Sequence, residues 1–244
     1  MKLLIIRHGD PDYEHDTLTE KGWREAALLA GAMRKVPVTD FYVSPLGRAR
    51  DTASLTLRAQ GRTAAECEWL KEFPTPLTER PDAVGRRTCC WDWLPADWAS
   101  QPIFYDADHW AEHPVMQRAG VGAEYARVTA AFDELLARHG YLREGKLYRA
   151  VRPNTDTLCF FCHFGLECVL LSRLTNTSPM IYWHHFCAAP TSVTTIRTEE
   201  RRQGTADFRV SCFGDTSHLL AGNEPVSPSA RFCECFDEAG ERHD

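Results

Sequence analysis

The sequence predicts an α/β fold, a mostly parallel central sheet covered on both faces by helices. Short apolar runs such as Leu3-Leu4-Ile5-Ile6 and Thr157–Cys162 alternate with segments of helical period. The clearest runs give way to a polar loop and then a helix start, the rhythm of a parallel sheet. With 244 residues the chain can also bury a substantial core.

In chain order, Leu3 to Ile6 is the first strand and ends in Arg7-His8-Gly9. Residues 19–35 read as a helix, with Trp23, Ala26, Ala27, Ala30 and Met33 at helical spacing and Pro37 closing it. Asp40-Phe41-Tyr42-Val43-Ser44 is a second strand, and a helix should run from near Pro45 toward Gln60. Residues 66–70 carry a less regular strand signal. Tyr125, Val128, Phe132, Leu135 and Leu136 mark a long helix that Gly140 closes. Thr157–Cys162 reads as a buried strand, with Leu166, Val169, Leu170 and Leu174 on a helix after it. Residues 191–198 and 208–213 complete the strands.

Residues 73–120 interrupt this rhythm. They hold several prolines and four of the seven tryptophans, Trp91, Trp93, Trp98 and Trp110, as expected of an insertion packed over the sheet's edge. Its tryptophans should form the insertion's own core, although they could also line a pocket mouth and favour a bulky or apolar group there. The polar, turn-rich residues 221–244 are expected to form a loosely held C-terminal tail.

The formal charge of −6 arises from mixed signs, which argues against a nucleic-acid platform and a polybasic membrane surface. No apolar stretch approaches the roughly 18 residues of a membrane span. Leu3 to Ile6 is too short for a signal-peptide core, so a cytoplasmic protein is expected. The ten cysteines are expected to be reduced packing residues. Cys159 and Cys162, three apart on a strand, should point to opposite faces. Neither Cys233-x-Cys235 nor His184-His185 has the setting of a metal site, so no metal is expected.

Arg7-His8-Gly9 places an imidazole and a guanidinium where a strand becomes a loop, the place where open α/β sheets bind ligands. A neutral histidine is a competent nucleophile, and arginine offers a fork for phosphate oxygens. Ser44-Pro45-Leu46-Gly47-Arg48-Ala49-Arg50 follows the second strand, so Arg48 could reach the same crevice, with a helix N-terminus adding a dipole that favours an anion. His163-Phe164-Gly165 repeats the arrangement, with open backbone N–H groups around Phe164. Three junctions converging on one crevice make a local cationic pocket in an acidic protein.

Arg7-His8-Gly9, Leu18-Thr19-x-x-Gly22, Ser44-Pro45-Leu46-x-Arg48-Ala49-x-x-Thr52-Ala53 and His163-Phe164-Gly165 resemble the signatures of the histidine phosphatase superfamily, which includes phosphoglycerate mutases and broad-specificity phosphatases. Gly214-Asp215-Thr216-Ser217-His218-Leu219 and the segment from Trp183 to Val193 are similar to further family segments. Outside residues 73–120, the likeness runs from Met1 to about Leu220. It implies a three-layer α/β/α sandwich, one catalytic domain over residues 1–220, and a metal-independent reaction without cofactor on a small phosphate monoester. His8 would become a phosphohistidine that water hydrolyses, and Arg7, Arg48, His163 and Phe164 would hold the phosphoryl oxygens, His163 as a protonated donor.

The family's proton donor follows the third strand in a Leu-x-Glu setting. Leu70-Lys71-Glu72 matches, making Glu72 the expected acid, with Glu124 and Asp10 as competitors. The family's Glu-Thr after Arg-His-Gly is replaced by Asp10-Pro11, and Tyr125 stands where a serine usually follows Glu124. His218 could be a supporting hydrogen-bond partner or a turn residue. Two other readings stay open. One is a mutase, needing further cations such as Arg86, Arg87 or Arg118. The other is a non-catalytic phosphate-binding module. Oligomeric state is not legible.

Overall fold

The computed structural model describes residues 1–74, 76–77, 79–81, 85 and 87–243. The chain opens with strand β1 (Lys2–Arg7), the short hairpin β2 (Pro11–Asp12) and β3 (Thr17–Leu18), and helix α1 (Glu20–Met33). Thr19 starts α1 by accepting the Gly22 amide on its hydroxyl at 3.1 Å. Strand β4 (Asp40–Val43), helix α2 (Gly47–Gln60) and strand β5 (Ala65–Glu66) follow. A 3₁₀ turn at Glu68–Leu70 replaces the rest of the expected strand at 66–70.

The insertion holds a two-residue ladder, β6 (Pro76–Leu77) with β7 (Thr88–Cys89), and the short helices α3 (Pro95–Ala99) and α4 (Pro114–Arg118). Then come α5 (Val121–Arg138), the hairpin β8 (Tyr141–Glu144) and β9 (Leu147–Ala150), β10 (Thr157–Cys162), α6 (Phe164–Thr175) and α7 (Pro179–His185). Strands β11 (Val193–Arg202) and β12 (Thr205–Asp215) and helix α8 (Ser217–Ala221) complete the fold.

The central sheet has eight strands in the order β5-β4-β10-β1-β11-β12-β9-β8. The first four are parallel and the others join antiparallel to their neighbours, so that only β11 and β9 run against β1. Alternation along β1 divides the core into two layers. Leu4 and Ile6 pack with Leu29, Met33 and Ala53 of α1 and α2. Leu3 and Ile5 face the other way, into a larger core with Phe132, Leu136, Leu166 and Leu170 of α5 and α6. Cys159 falls in the first layer and Cys162 in the second, on opposite faces as their spacing requires.

Three further parts of the chain depart from the sequence reading. Trp23 is 38% exposed, because Gly22, Glu25, Ala26, Leu29, Ala30 and Met33 form the buried stripe of α1 instead. Trp93, Trp98 and Trp110 join the large core shared with α5, α6 and α7, so the insertion lies on the helical layer. Residues beyond Gly222 are anchored. Glu224 pairs with Lys21 and Arg24, both at 2.9 Å, and Ser227 donates to Asp10 at 2.5 Å.

Candidate active site

The register of the parallel strands brings three junctions together. Arg7 lies opposite Cys162 and Phe161 opposite Val43, so His8, His163 and Ser44 leave the sheet side by side. The His8 amide donates to the Cys162 carbonyl at 3.0 Å and the Ser44 amide to that of Phe161 at 2.9 Å, fixing the loops at the point of exit. The His8 and His163 rings are 5.1 Å apart, both buried.

His8 Nδ1 lies 2.7 Å from the Gly9 carbonyl oxygen. A carbonyl only accepts, so Nδ1 carries the proton and Nε2 keeps its lone pair. Burial, reinforced by the Arg7 charge, pushes the His8 pKa well below the ordinary histidine value, so the ring is neutral at physiological pH. The Gly9 amide is held by the Thr52 hydroxyl of α2 at 2.9 Å. Behind the loop, the Thr191 amide donates to the His8 carbonyl at 3.1 Å, and the Thr191 hydroxyl bonds His218 Nε2 at 3.0 Å. Thr191 takes a φ of 59°, a costly conformation for a β-branched residue. His218 therefore supports the His8 loop from the rear.

His163 is neutral too, since burial and the nearby His8, Arg48 and Arg7 drive its pKa well below the usual value. This corrects the expectation of a protonated donor. It remains a donor through its tautomer. Ser44 Oγ accepts from the Leu46 amide at 3.3 Å and lies 2.8 Å from His163 Nε2. With the hydroxyl proton directed to Nε2, the imidazole proton sits on Nδ1, which is buried without a partner.

Arg7 donates through Nη1 to the Ala188 carbonyl at 2.6 Å, and Arg48 through Nη1 to Asp16 at 2.6 Å. The Nε of each is buried and unbonded. Native interiors rarely leave such donors unsatisfied, so Arg7 Nε, Arg48 Nε and His163 Nδ1 mark a place prepared for acceptor oxygens. Two anion sites expected from helix N-termini are partly taken. Asp16 accepts the Gly47 amide at 2.7 Å and so caps α2. Glu72 Oε1 accepts the Leu166 amide at 3.1 Å in the first turn of α6, where the Phe164 and Gly165 amides have no intrahelical partner. The Phe164 ring stacks under Arg7, whose guanidinium carbon is 5.9 Å from its centre.

Glu72 also accepts the Phe73 amide at 2.9 Å. Burial raises its pKa from the ordinary carboxylate value, against the opposing charges of Arg7 and Arg48. Both competitors lie elsewhere. Glu124 is paired with Arg127 at 2.7 Å on α5. Asp10 is bonded by Ser227, Ser229 and Thr19 hydroxyls, which outweigh burial and lower its pKa. Sequence reasoning missed Glu167, buried on α6 and raised to about 7 by burial, with the Arg7 charge opposing. Its i+4 spacing from His163 was the available signal.

Arg7, Glu72 and Phe164 line a cavity of about 1000 Å³, near the upper end for small-molecule sites. Trp91, Trp93 and Trp98 line it as well, so insertion tryptophans serve both core and cavity wall. Of the cations that a mutase could use, Arg118 pairs with Glu79 and Arg87 is exposed off the cavity wall, while Arg86 lies outside the described residues. His184 is saturated by the Trp93 amide and the Met180 carbonyl, and no metal-binding cluster occurs among the described residues. Nor, among those residues, is any helix long and apolar enough to cross a membrane.

The family model for the histidine phosphatase superfamily, branch 1, matches residues 3–210. The chain belongs to that superfamily. Among solved structures, a phosphoserine phosphatase from Entamoeba histolytica superposes with a TM-score of 0.58 at 21% identity, covering 90% of this chain and 99% of that one. A mycobacterial glucosyl-3-phosphoglycerate phosphatase gives 0.54 at 21% identity, over 87% and 98%. The alpha-ribazole phosphatase of Shigella flexneri gives 0.53 at 19% identity, over 88% and 97%. These likenesses establish the shared fold. A 2,3-bisphosphoglycerate-dependent phosphoglycerate mutase from Thermoplasma acidophilum is 36% identical over 62 residues, 21% of this chain. The chain spans 31% of that curated relative.

Proposed function

We propose that the protein is a metal-independent phosphatase that hydrolyses a small phosphate monoester through a phosphohistidine on His8. The observation that carries this reading is the single-tautomer His8, its Nε2 free, beside three buried donors that lack acceptors. Nε2 attacks phosphorus as the ester P–O bond breaks, and Glu72 gives its proton to the departing oxygen. Arg7, Arg48 and neutral His163 stabilise the charge spread over the phosphoryl oxygens. Glu72, now a carboxylate, takes a proton from water, whose oxygen attacks phosphorus as the P–N bond breaks. Phosphate leaves, and His8 and Glu72 return to their starting states. Each group is fixed before substrate arrives, which is the condition for electrostatic catalysis at low reorganisation cost. All ten cysteines are free thiols, in keeping with action in the reducing cytoplasm.

A mutase, which returns the phosphoryl group to a second hydroxyl, is the other reading, favoured by the local likeness to a phosphoglycerate mutase. Neither the exposed Arg87 nor the paired Arg118 lines the cavity; the further cations that do are Arg80, Arg231 and Arg242, of which Arg80 and Arg242 both donate to Asp92. The test is phosphate release from p-nitrophenyl phosphate in excess chelator, with native protein and His8→Ala, and with acid-quenched protein checked for phosphohistidine. Chelator-resistant release that His8→Ala abolishes is the expected result. Release retained by His8→Ala would overturn the nucleophile. Isomer formation from a phosphoglycerate without net phosphate release would favour the mutase, and phosphate binding without phosphohistidine a non-catalytic module.

A further inference from the structure

The cavity that begins at Arg7 and Glu72 continues between the insertion and the C-terminal tail, and its outer part has an unusual surface. Tyr13 is 69% exposed, Phe232 42% and Phe236 83%, and all three face this one cavity together with Trp91. Isolated exposed apolar side chains need no explanation, but aromatic rings gathered around one opening mark a binding surface. Two are already stacked by cations. The Arg242 guanidinium lies 4.2 Å from the Phe232 ring centre and that of Arg48 5.4 Å from Tyr13. Tyr13 therefore joins the phosphoryl cradle to the aromatic mouth. Trp91 packs edge-on to Phe164 at 6.1 Å, carrying the aromatic surface inward to the phosphate end.

Some polar groups of this outer part are committed to protein partners, while His185, Arg231 and Glu234 line it as well. His184 is saturated by the Trp93 amide and the Met180 carbonyl, and Asp92 is held by Arg242 at 3.1 Å. A sugar would bring several hydroxyls that need partners, and leaving them unbonded is costly. A flat ring needs only faces and edges to stack on. The cavity of about 1000 Å³ meets the phosphoryl cradle at Arg7, Glu72 and Phe164, so its volume is available to the alcohol portion of the ester.

We propose that the leaving group is an aromatic ring system, bound between Trp91 and the tail rings Phe232 and Phe236. This rests on the phosphatase reading above and names its substrate class, a small aromatic phosphate monoester. The tail thus becomes a specificity element that covers the cavity.

The test compares naphthylmethyl phosphate with n-butyl phosphate. Both release alkoxides of similar basicity, so a difference reports binding and not leaving-group chemistry. The expected kcat/KM ratio is about thirtyfold in favour of the naphthyl ester, residing in KM, from two or three ring contacts. The double variant Phe232→Ala with Phe236→Ala should bring the ratio within about threefold, through a rise in KM for the naphthyl ester. In His8→Ala, naphthylmethyl phosphate should quench tryptophan fluorescence at lower concentration than inorganic phosphate does. Equal kcat/KM for the two esters in native protein would overturn the aromatic leaving group while leaving His8 chemistry intact. A phosphotyrosyl peptide cleaved faster than the naphthyl ester would overturn the small-molecule assignment. No turnover of either ester, with no phosphohistidine formed, would overturn the phosphatase reading and this inference together.

Discussion

Glu72 receives two opposed influences, and their balance decides its role. Accepting the Phe73 and Leu166 amides favours the carboxylate, as do the charges of Arg7 and Arg48. Burial is the larger effect and raises the pKa, which extends the pH range over which the proton needed by a leaving alkoxide is present. Activity should therefore fall as pH rises through the Glu72 pKa, because the acid is then spent. It should also fall at low pH, once His8 becomes protonated below its own depressed pKa. Glu72→Gln keeps an acceptor for both amides and removes only the proton. With an alkyl phosphate we expect a loss of about 10²–10⁴ in kcat and disappearance of the alkaline limb. With p-nitrophenyl phosphate, whose leaving group needs little help, the loss should be much smaller. An alkyl ester cleaved by the variant at the native rate, with the native pH profile, would remove Glu72 from the mechanism.

At the scale of elements, the start of α6 is where packing and chemistry meet. A Cβ at Gly165 would stand 2.6 Å from Trp91 Nε1 and 2.8 Å from Glu72 Oε1, so glycine is what lets both approach the helix. In Gly165→Ala, helix propensity would contribute about 1 kcal/mol of stability, while overpacking costs about 1–3 kcal/mol. The net change in stability should thus stay below about 2 kcal/mol, yet kcat should drop at least tenfold as Glu72 is displaced. Thermal melting and steady-state kinetics on the same preparation separate the two, and an unchanged kcat would refute the placement.

The sequence made the strand-to-helix junctions legible because each apolar run ends abruptly at a polar residue, as Ile6 does at Arg7. The Leu-x-Glu setting marked Glu72, but its contact with Leu166 joins residues 94 apart and has no local signature. The hairpin of β8 and β9 was hidden for a similar reason. It carries the charged residues Arg143, Glu144 and Arg149 and buries Tyr141, Tyr148 and Ala150, too few apolar positions to give a strand signal. Polar composition made the tail look loose, whereas the serines at 227 and 229 are what bind Asp10.

For the whole molecule, the buried site makes stability depend on pH in two opposing ways. His8 and His163 have folded-state pKa values below their unfolded ones, so the stability they leave intact near neutrality is lost as pH falls below about 6.5. Glu25 and Glu167 act in the other direction. Each is raised to about 7 by burial, so the folded state holds more protons than the unfolded chain between about 4.5 and 7, and stability falls as pH rises through that window. The two trends partly cancel in the native protein, and a single variant exposes one of them. Glu25 sits under the His8 loop, with Oε2 accepting the Asp10 amide at 2.9 Å. Glu25→Gln can keep that bond without carrying a charge. Its stability relative to native should be similar near pH 4.5 and rise steadily to pH 7, by at most about 3 kcal/mol. Denaturant midpoints of the two proteins at half-unit pH steps measure the difference directly. A flat difference across the window would mean that Glu25 titrates normally, and that the loop carrying His8 is wetter than its burial implies.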